Sequence, residues 1–199
     1  MPVRDVFHVH SKFFSKSYVV MRIRGGISRG RRLKVPDGSH VRPTSDKVKQ
    51  ALFNILSDRV ASAVFLDLFA GAGGIGIEAL SRGAAHVTFV DISRDSLNVI
   101  DHNIEQAGFS DRALVVLSKA ESFLKKKSGP YDIVFLDPPY DEAIEPLLEL
   151  IAGTTIVHPD SIIITEHFKK QLSPHKIMQL TLCREARYGD TVLAFYEFS

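Results

Sequence analysis

From residue 41 onward the chain alternates between two spacings of apolar residues. In VRPTSDKVKQALFNIL, residues 41 to 56, Val48, Ala51, Leu52, Ile55 and Leu56 recur at helical intervals and predict an amphipathic helix with that stripe buried. Pro43 restricts its start, Thr44 or Ser45 can cap it, and Asp46 falls in the first turn, where the helix dipole favours negative charge. Short apolar runs then predict strands: AVFLDLF (63–69), HVTFVDI (86–92), ALVVLS (113–118), YDIVFLD (131–137) and SIIITE (161–166). Helical stretches separate them. GIGIEALSRG (74–83) stops at Gly83, and SRDSLNVIDHNIEQAG (93–108) has Ser93 as cap and Gly108 as stop. Two more lie around 120–127 and 142–152. Such alternation predicts a doubly wound α/β fold, a parallel sheet with helices on both faces. Near the end, HKIMQLTLCREA and TVLAFYEF are strand-like and joined by RYGD (187–190), a connection short enough to require antiparallel pairing. No internal repeat or low-complexity tract appears.

In such a sheet, ligands bind beyond the carboxyl ends of the strands, near the point where strand order reverses. Three segments fall there: Asp67 with FAGAGGIG (69–76), Asp91, and DPPY (137–140). Gly71, Gly73 and Gly76 have the G-x-G-x-x-G spacing of a loop that grips a dinucleotide, and Asp91 follows 20 residues after Gly71. Gly71 and Gly73 let the backbone approach a ligand, and Gly76 lets the helix pack closely. Asp67, ending an apolar strand, either braces the backbone or meets the ligand. Asp91 can accept both hydroxyl hydrogens of a ribose. These features alone suit any adenosine-bearing cofactor, NAD included.

DPPY separates the cofactors. Pro138 and Pro139 hold a stiff, extended turn, so that the Asp137 carboxylate and the Pro138 carbonyl can be aimed at one planar amino group. Tyr140 offers a face on which a base can stack. Two acceptors on an exocyclic amine favour rehybridisation and direct its lone pair toward an electrophile. Hydride transfer has no use for this arrangement.

Composition narrows the setting. With 199 residues, 45% hydrophobic and 24% charged, the chain suits one soluble domain with at most a small appendage. No apolar run approaches the roughly 20 residues needed to span a bilayer, and the first 20 residues lack the apolar core of a secretory signal. The lone Cys183 excludes an internal disulfide and is expected as a buried thiol in a reducing compartment, so the expected location is the cytoplasm. No histidine spacing suggests a metal. Charge is unevenly spread: residues 1–60 carry 13 Lys and Arg against 4 Asp and Glu, and the remainder 12 against 19. The densest stretch, MRIRGGISRGRRLK (21–34), has six cations, and its glycines favour a hairpin over an amphipathic helix. It points to a polyanion, with nucleic acid preferred to a membrane. Residues 1–20 read as an extension of uncertain order, with Met21 an alternative start, 21–41 as a basic RNA-binding hairpin segment, and 42–199 as the main domain.

LDLFAGAGGIGIEALSRGAAHVTFVD with VFLDPPY resembles the class I methyltransferases that use S-adenosylmethionine. Taken with MRIRGGISRGRRLKVPDGSHVRPTSDKVKQALFNIL and REARYGDTVLAFYEF, the chain resembles the bacterial RsmD family, which methylates guanine N2 in small-subunit (16S) ribosomal RNA. The resemblance spans residues 21 to 198. It implies a Rossmann-like sheet of seven strands with an antiparallel last strand. It further implies that Asp67, Phe69, Gly71, Gly73, Asp91, Ile92, Ala120 and Asp137 hold S-adenosylmethionine, and that Asp137, Pro138 and Tyr140 present the guanine. Arg24, Arg29, Arg31, Arg32, Lys34, Arg42, Thr44, Arg187 and Tyr188 would contact RNA, free or in an assembling 30S particle, and the protein would act as a monomer. Lys119 stands where the family usually has an acidic residue for the adenine amine, leaving that contact to the Ala120 backbone. Adenine-N6 methylation, which shares DPPY, is the rival activity, and a non-catalytic ribosome-assembly factor the rival from another class.

Overall fold

The computed structural model describes residues 21–35, 45–126, 129–139 and 141–199. Two strands, β1 (Met21–Arg22) and β2 (Arg32–Leu33), form an antiparallel hairpin. The main sheet comprises β3 (Val64–Leu68), β4 (His86–Asp91), β5 (Ala113–Leu117), β6 (Tyr131–Leu136), β7 (Val157–Phe168), β8 (Lys176–Ile177), β9 (Leu180–Tyr188) and β10 (Thr191–Phe198). Their order is β5-β4-β3-β6-β7-β10-β9-β8, parallel from β5 through β7 and antiparallel beyond. The doubly wound sheet is therefore present, and the two-residue β8 adds an eighth strand to the seven expected. It arises because HKIMQLTLCREA, expected as one run, folds back at Met178, whose φ is 51°.

Helices α1 (Asp46–Leu56), α2 (Gly74–Ser81) and α3 (Arg94–Ala107) cover one face of the sheet, and α4 (Ala120–Leu124) and α5 (Glu145–Ala152) the other. Strand alternation divides the core accordingly. Phe65, Phe89, Ile133, Phe135, Ile162 and Ile164 pack under α1–α3, whereas Leu66, Leu68, Val134, Leu136 and Ile163 pack under α4 and α5. Several local signals act as expected. Ser45 and Ser93 cap α1 and α3 through side-chain oxygens that accept from Val48 N and Ser96 N, and Gly108 ends α3 at a φ of 78°. Two expectations need correction. The buried stripe of α1 is Val48, Lys49, Leu52, Phe53 and Leu56, so Lys49 and Phe53 replace Ala51 and Ile55. Cys183 is exposed on β9, where its thiol donates to Phe195 O at 3.2 Å; β9 pairs with β10 on one side, and on the other the two-residue β8 reaches only Leu180 and Thr181.

The hairpin is part of the main core. Met21, Ile23 and Leu33 are buried with α1–α3, and the tip folds onto the ends of α2 and α3 through Ile27 N to Ser81 O and the Ser28 hydroxyl to Ala107 O. Residues 36–44, with Arg42 and Thr44, lie outside the described residues, as do residues 1–20.

At Gly76, α2 packs closely on the sheet. A Cβ there would stand 2.3 Å from a ring carbon of Phe89 and 2.8 Å from a methyl of Val87. Gly76→Ala is expected to destabilise the fold by about 1–3 kcal/mol through overpacking, which urea denaturation would measure as a lower midpoint at unchanged slope.

Candidate active site

β3 and β6 are hydrogen-bonded neighbours, with Leu68 opposite Leu136, so the loops that follow them leave the sheet side by side. They line one crevice of about 450 Å³, counting its open mouth, walled by Asp67, Phe69, Ala70, Gly71, Ala72, Gly74, Ile75, Phe135, Asp137, Met21 and Lys49. Asp67, Phe69, Gly71 and Asp137 are thus brought together as expected.

The glycine loop owes its shape to backbone needs that side chains then hold. Phe69, Gly71 and Gly73 have φ values of 62°, 55° and 78°, and Gly73 caps α2. Asp67 accepts the Gly76 N–H at 2.8 Å, so it braces the first turn of α2 while facing the crevice. Asp91 accepts from Gly71 N through one oxygen and from Ser93 N through the other, each at 2.8 Å. Its carboxylate therefore fixes both the loop and the start of α3, and each oxygen keeps lone pairs for a hydroxyl donor. Asp91, exposed Ile92 and buried Ala120 stand outside the crevice wall, on the β4–β5 side.

Asp67 is 2% exposed, and its carboxyl is pushed well above the usual range, chiefly by burial and also by the nearby charges of Asp137 and Asp91, against the lowering effect of the Gly76 bond. Burial pushes Asp137 up to about 7. Pro138 is buried, and the chain turns at once, with Glu142 N donating to Pro139 O at 2.9 Å. Tyr140 lies outside the described residues.

Three contributors were not legible beforehand. Lys49 is buried at the crevice wall, donates to Arg22 O at 2.6 Å and lies 3.5 Å from Glu78. Burial lowers its pKa, with Glu78 opposing that shift. Glu78, fully buried, also accepts the Arg24 N–H at 2.7 Å and the Arg82 Nε–H at 2.9 Å. Met21 packs on α2, its sulfur 2.6 Å from where a Cβ on Gly74 would lie. The signal for Lys49 was a lysine on the apolar stripe of α1; Glu78 gave a similar one in GIGIEALS.

Of the expected RNA contacts, Arg29, Arg31, Arg32 and Lys34 are exposed. Arg24 is half-buried and bonded to Asp46, while the Arg31 guanidinium also donates to Gln106 O. Exposed Arg187 pairs with Glu185 at 2.7 Å, and half-buried Tyr188 ends β9 against the core. The hairpin tip sits at the far end of α2 from the glycine loop, about 12 Å along an eight-residue helix. Its cations therefore form a strip running away from the crevice. Among the described residues no group of three or more His, Cys, Asp or Glu is placed to hold a metal, and no helix is long and apolar enough to cross a membrane.

The family model described as conserved hypothetical protein 95 matches residues 21–197. The chain belongs to this family. The E. coli K12 protein named ribosomal RNA small subunit methyltransferase D is 37% identical over 180 residues, covering 89% of each chain. The Haemophilus influenzae protein of the same name is 34% identical over 183 residues, covering 89% of this chain and 93% of its own. Among solved structures, E. coli yhhF has a TM-score of 0.82 at 36% identity, covering 90% of this chain and 98% of that one. The family match begins at Met21, the first residue of the hairpin, so the hairpin lies within the matched region.

A raised carboxyl pKa means that the folded state binds a proton the unfolded chain has released. Stability from Asp137 is therefore greatest below about pH 4 and lost as pH rises toward about 7. Asp137→Asn is expected to raise Tm more at pH 8 than at pH 5, measured by thermal melts across that range.

Proposed function

We propose that the protein transfers a methyl group from S-adenosylmethionine to the exocyclic N2 of a guanine in small-subunit ribosomal RNA. The observation that carries this reading is the opening of Asp137, at the head of DPPY, into the crevice formed by the glycine loop. The names of the E. coli and H. influenzae relatives support the choice of ribosomal RNA.

The crevice suits the cofactor chemically. Asp67 and Asp137 are both raised by burial, and Asp67 also by the charge of Asp137. A ligand carrying positive charge relieves that strain, and S-adenosylmethionine has a sulfonium and an ammonium. Asp67, Phe69, Gly71 and Gly73 would hold it, with Asp91 toward the ribose. Bound there, it supplies an electrophilic methyl carbon. Asp137 and the Pro138 carbonyl would accept the hydrogens of the guanine amine and turn its lone pair toward the crevice, and Asp137, with a pKa of about 7, can take up the proton released. The cationic strip of Arg29, Arg31, Arg32 and Lys34 would hold RNA phosphates and contribute affinity rather than chemistry.

Asp137→Ala is expected to lower methyl transfer on the order of a hundredfold or more while S-adenosylhomocysteine still binds, as read by labelled-methyl transfer and calorimetry. Mass spectrometry of ribosomal RNA from cells lacking the protein should reveal one guanine without its N2 methyl group; loss of an adenine methyl group instead would favour the N6 reading. Neutralising Arg29, Arg31 and Arg32 together should reduce the slope of log affinity against log salt by about 2 to 3, measured by RNA-binding titrations from 50 to 200 mM salt.

A further inference from the structure

Asp67 and Glu166 lie in the last residues of β3 and β7, and Asp137 directly follows β6, three neighbouring strands; Asp67 and Asp137 wall the crevice, and Glu166 stands one strand behind that wall. Ile162 and Ile164 face the core under α1–α3, and side chains alternate along a strand, so Glu166 continues that face. Asp137 continues it in the same way after Ile133 and Phe135. The register Leu136 opposite Thr165 then sets Asp137 and Glu166 side by side, about 4.8 Å apart across the sheet. On its other flank Glu166 is opposite Leu193 of β10, a residue of the same core. Glu166 is 6% exposed. A second carboxylate therefore lies buried one strand from the group that would hold the reacting amine.

We propose that Glu166 identifies the target base as guanine by accepting its N1–H while Asp137 accepts from the N2 amine. The proposal rests on the methyl-transfer reading above and adds the residue that selects the base. Guanine presents N1–H and the N2 amine as adjacent donors on one edge. Adenine presents its N6 amine beside a bare N1 lone pair, which a carboxylate oxygen repels. DPPY can hold either amine; the neighbouring carboxylate accepts only the guanine edge. Two carboxylate oxygens have about four acceptor directions between them, so the base N1–H can share the Glu166 carboxylate with the contacts it makes inside the protein.

The test uses the full chain and an RNA whose mapped target nucleotide is either guanine or 2,6-diaminopurine, which keeps the 2-amino group but has an acceptor at N1. The wild type is expected to prefer guanine at least thirtyfold in kcat/KM, on the order of a site built to hydrogen-bond its substrate. Glu166→Gln, whose amide can donate to the N1 acceptor, is expected to bring the two substrates within about threefold, and Glu166→Asp to keep the guanine preference. The ratio is internal to each preparation, so loss of folded protein cancels, and the equilibrium binding ratio of the two RNAs gives the same reading for a slow variant. A Glu166→Gln enzyme with the wild-type preference, or a wild type indifferent to the two bases, overturns the proposal. A wild type that methylates neither RNA, whether free or assembled into the small-subunit particle, removes the methyl-transfer reading itself, and this inference with it.

Discussion

A single buried carboxylate, Glu78, holds together parts of the chain that are distant in sequence. It receives the backbone N–H of Arg24 from the hairpin, the Lys49 ammonium from α1 and the Arg82 guanidinium one turn along its own helix. A charge fully removed from water is tolerated only when such donors surround it, and removing one partner leaves the rest uncompensated. Glu78 is also on the helix that begins in the glycine loop. The arrangement of the hairpin, the wall formed by Met21 and Lys49, and the loop that faces Asp67 is thus coupled through one ion-pair cluster.

The upper edge of the sheet works by the opposite principle. Asp67 and the half-buried Asp137 are carboxyls pushed upward in pKa by burial, and the bonds that Asp67 and Asp91 accept come from backbone amides of the glycine loop and of the helix starts beside it. Negative potential is concentrated where a cationic ligand and an amine donor would meet, and neutralised where only the fold is served. One sheet therefore carries a satisfied charge cluster beneath α2 and an acid-rich rim above it.

Much of this was legible in the residues. The alternation of short apolar runs with helical stretches dictated the doubly wound sheet, and Ser45, Ser93 and Gly108 marked helix ends at the right places because caps are local chemistry. The positions of Asp67, Gly71 and Asp137 indicated the crevice because the topology that joins them follows from strand-helix alternation. What escaped was tertiary. The stripe of α1 is turned toward its other flank, so that Lys49 and Phe53 are buried in place of Ala51 and Ile55, because the Lys49 charge finds Glu78, 29 residues further along the chain. Spacing marked Asp91 as a ribose candidate; that its two oxygens also hold the amides of Gly71 and Ser93 is set by loop conformation rather than by spacing. The break before β9 depended on a left-handed Met178, which no propensity announces.

The position of the basic tip has a further consequence. Gly26 presses so closely on the end of α2 that a Cβ would lie 1.8 Å from Ser81 O, which pins the arm at a fixed remove from the crevice. On the proposed reading, a polyanion would be held there at a place separate from the one where its base reacts. If RNA is held as proposed, ionic strength would act on the arm's share of the grip and leave the contacts of the crevice to discriminate the base.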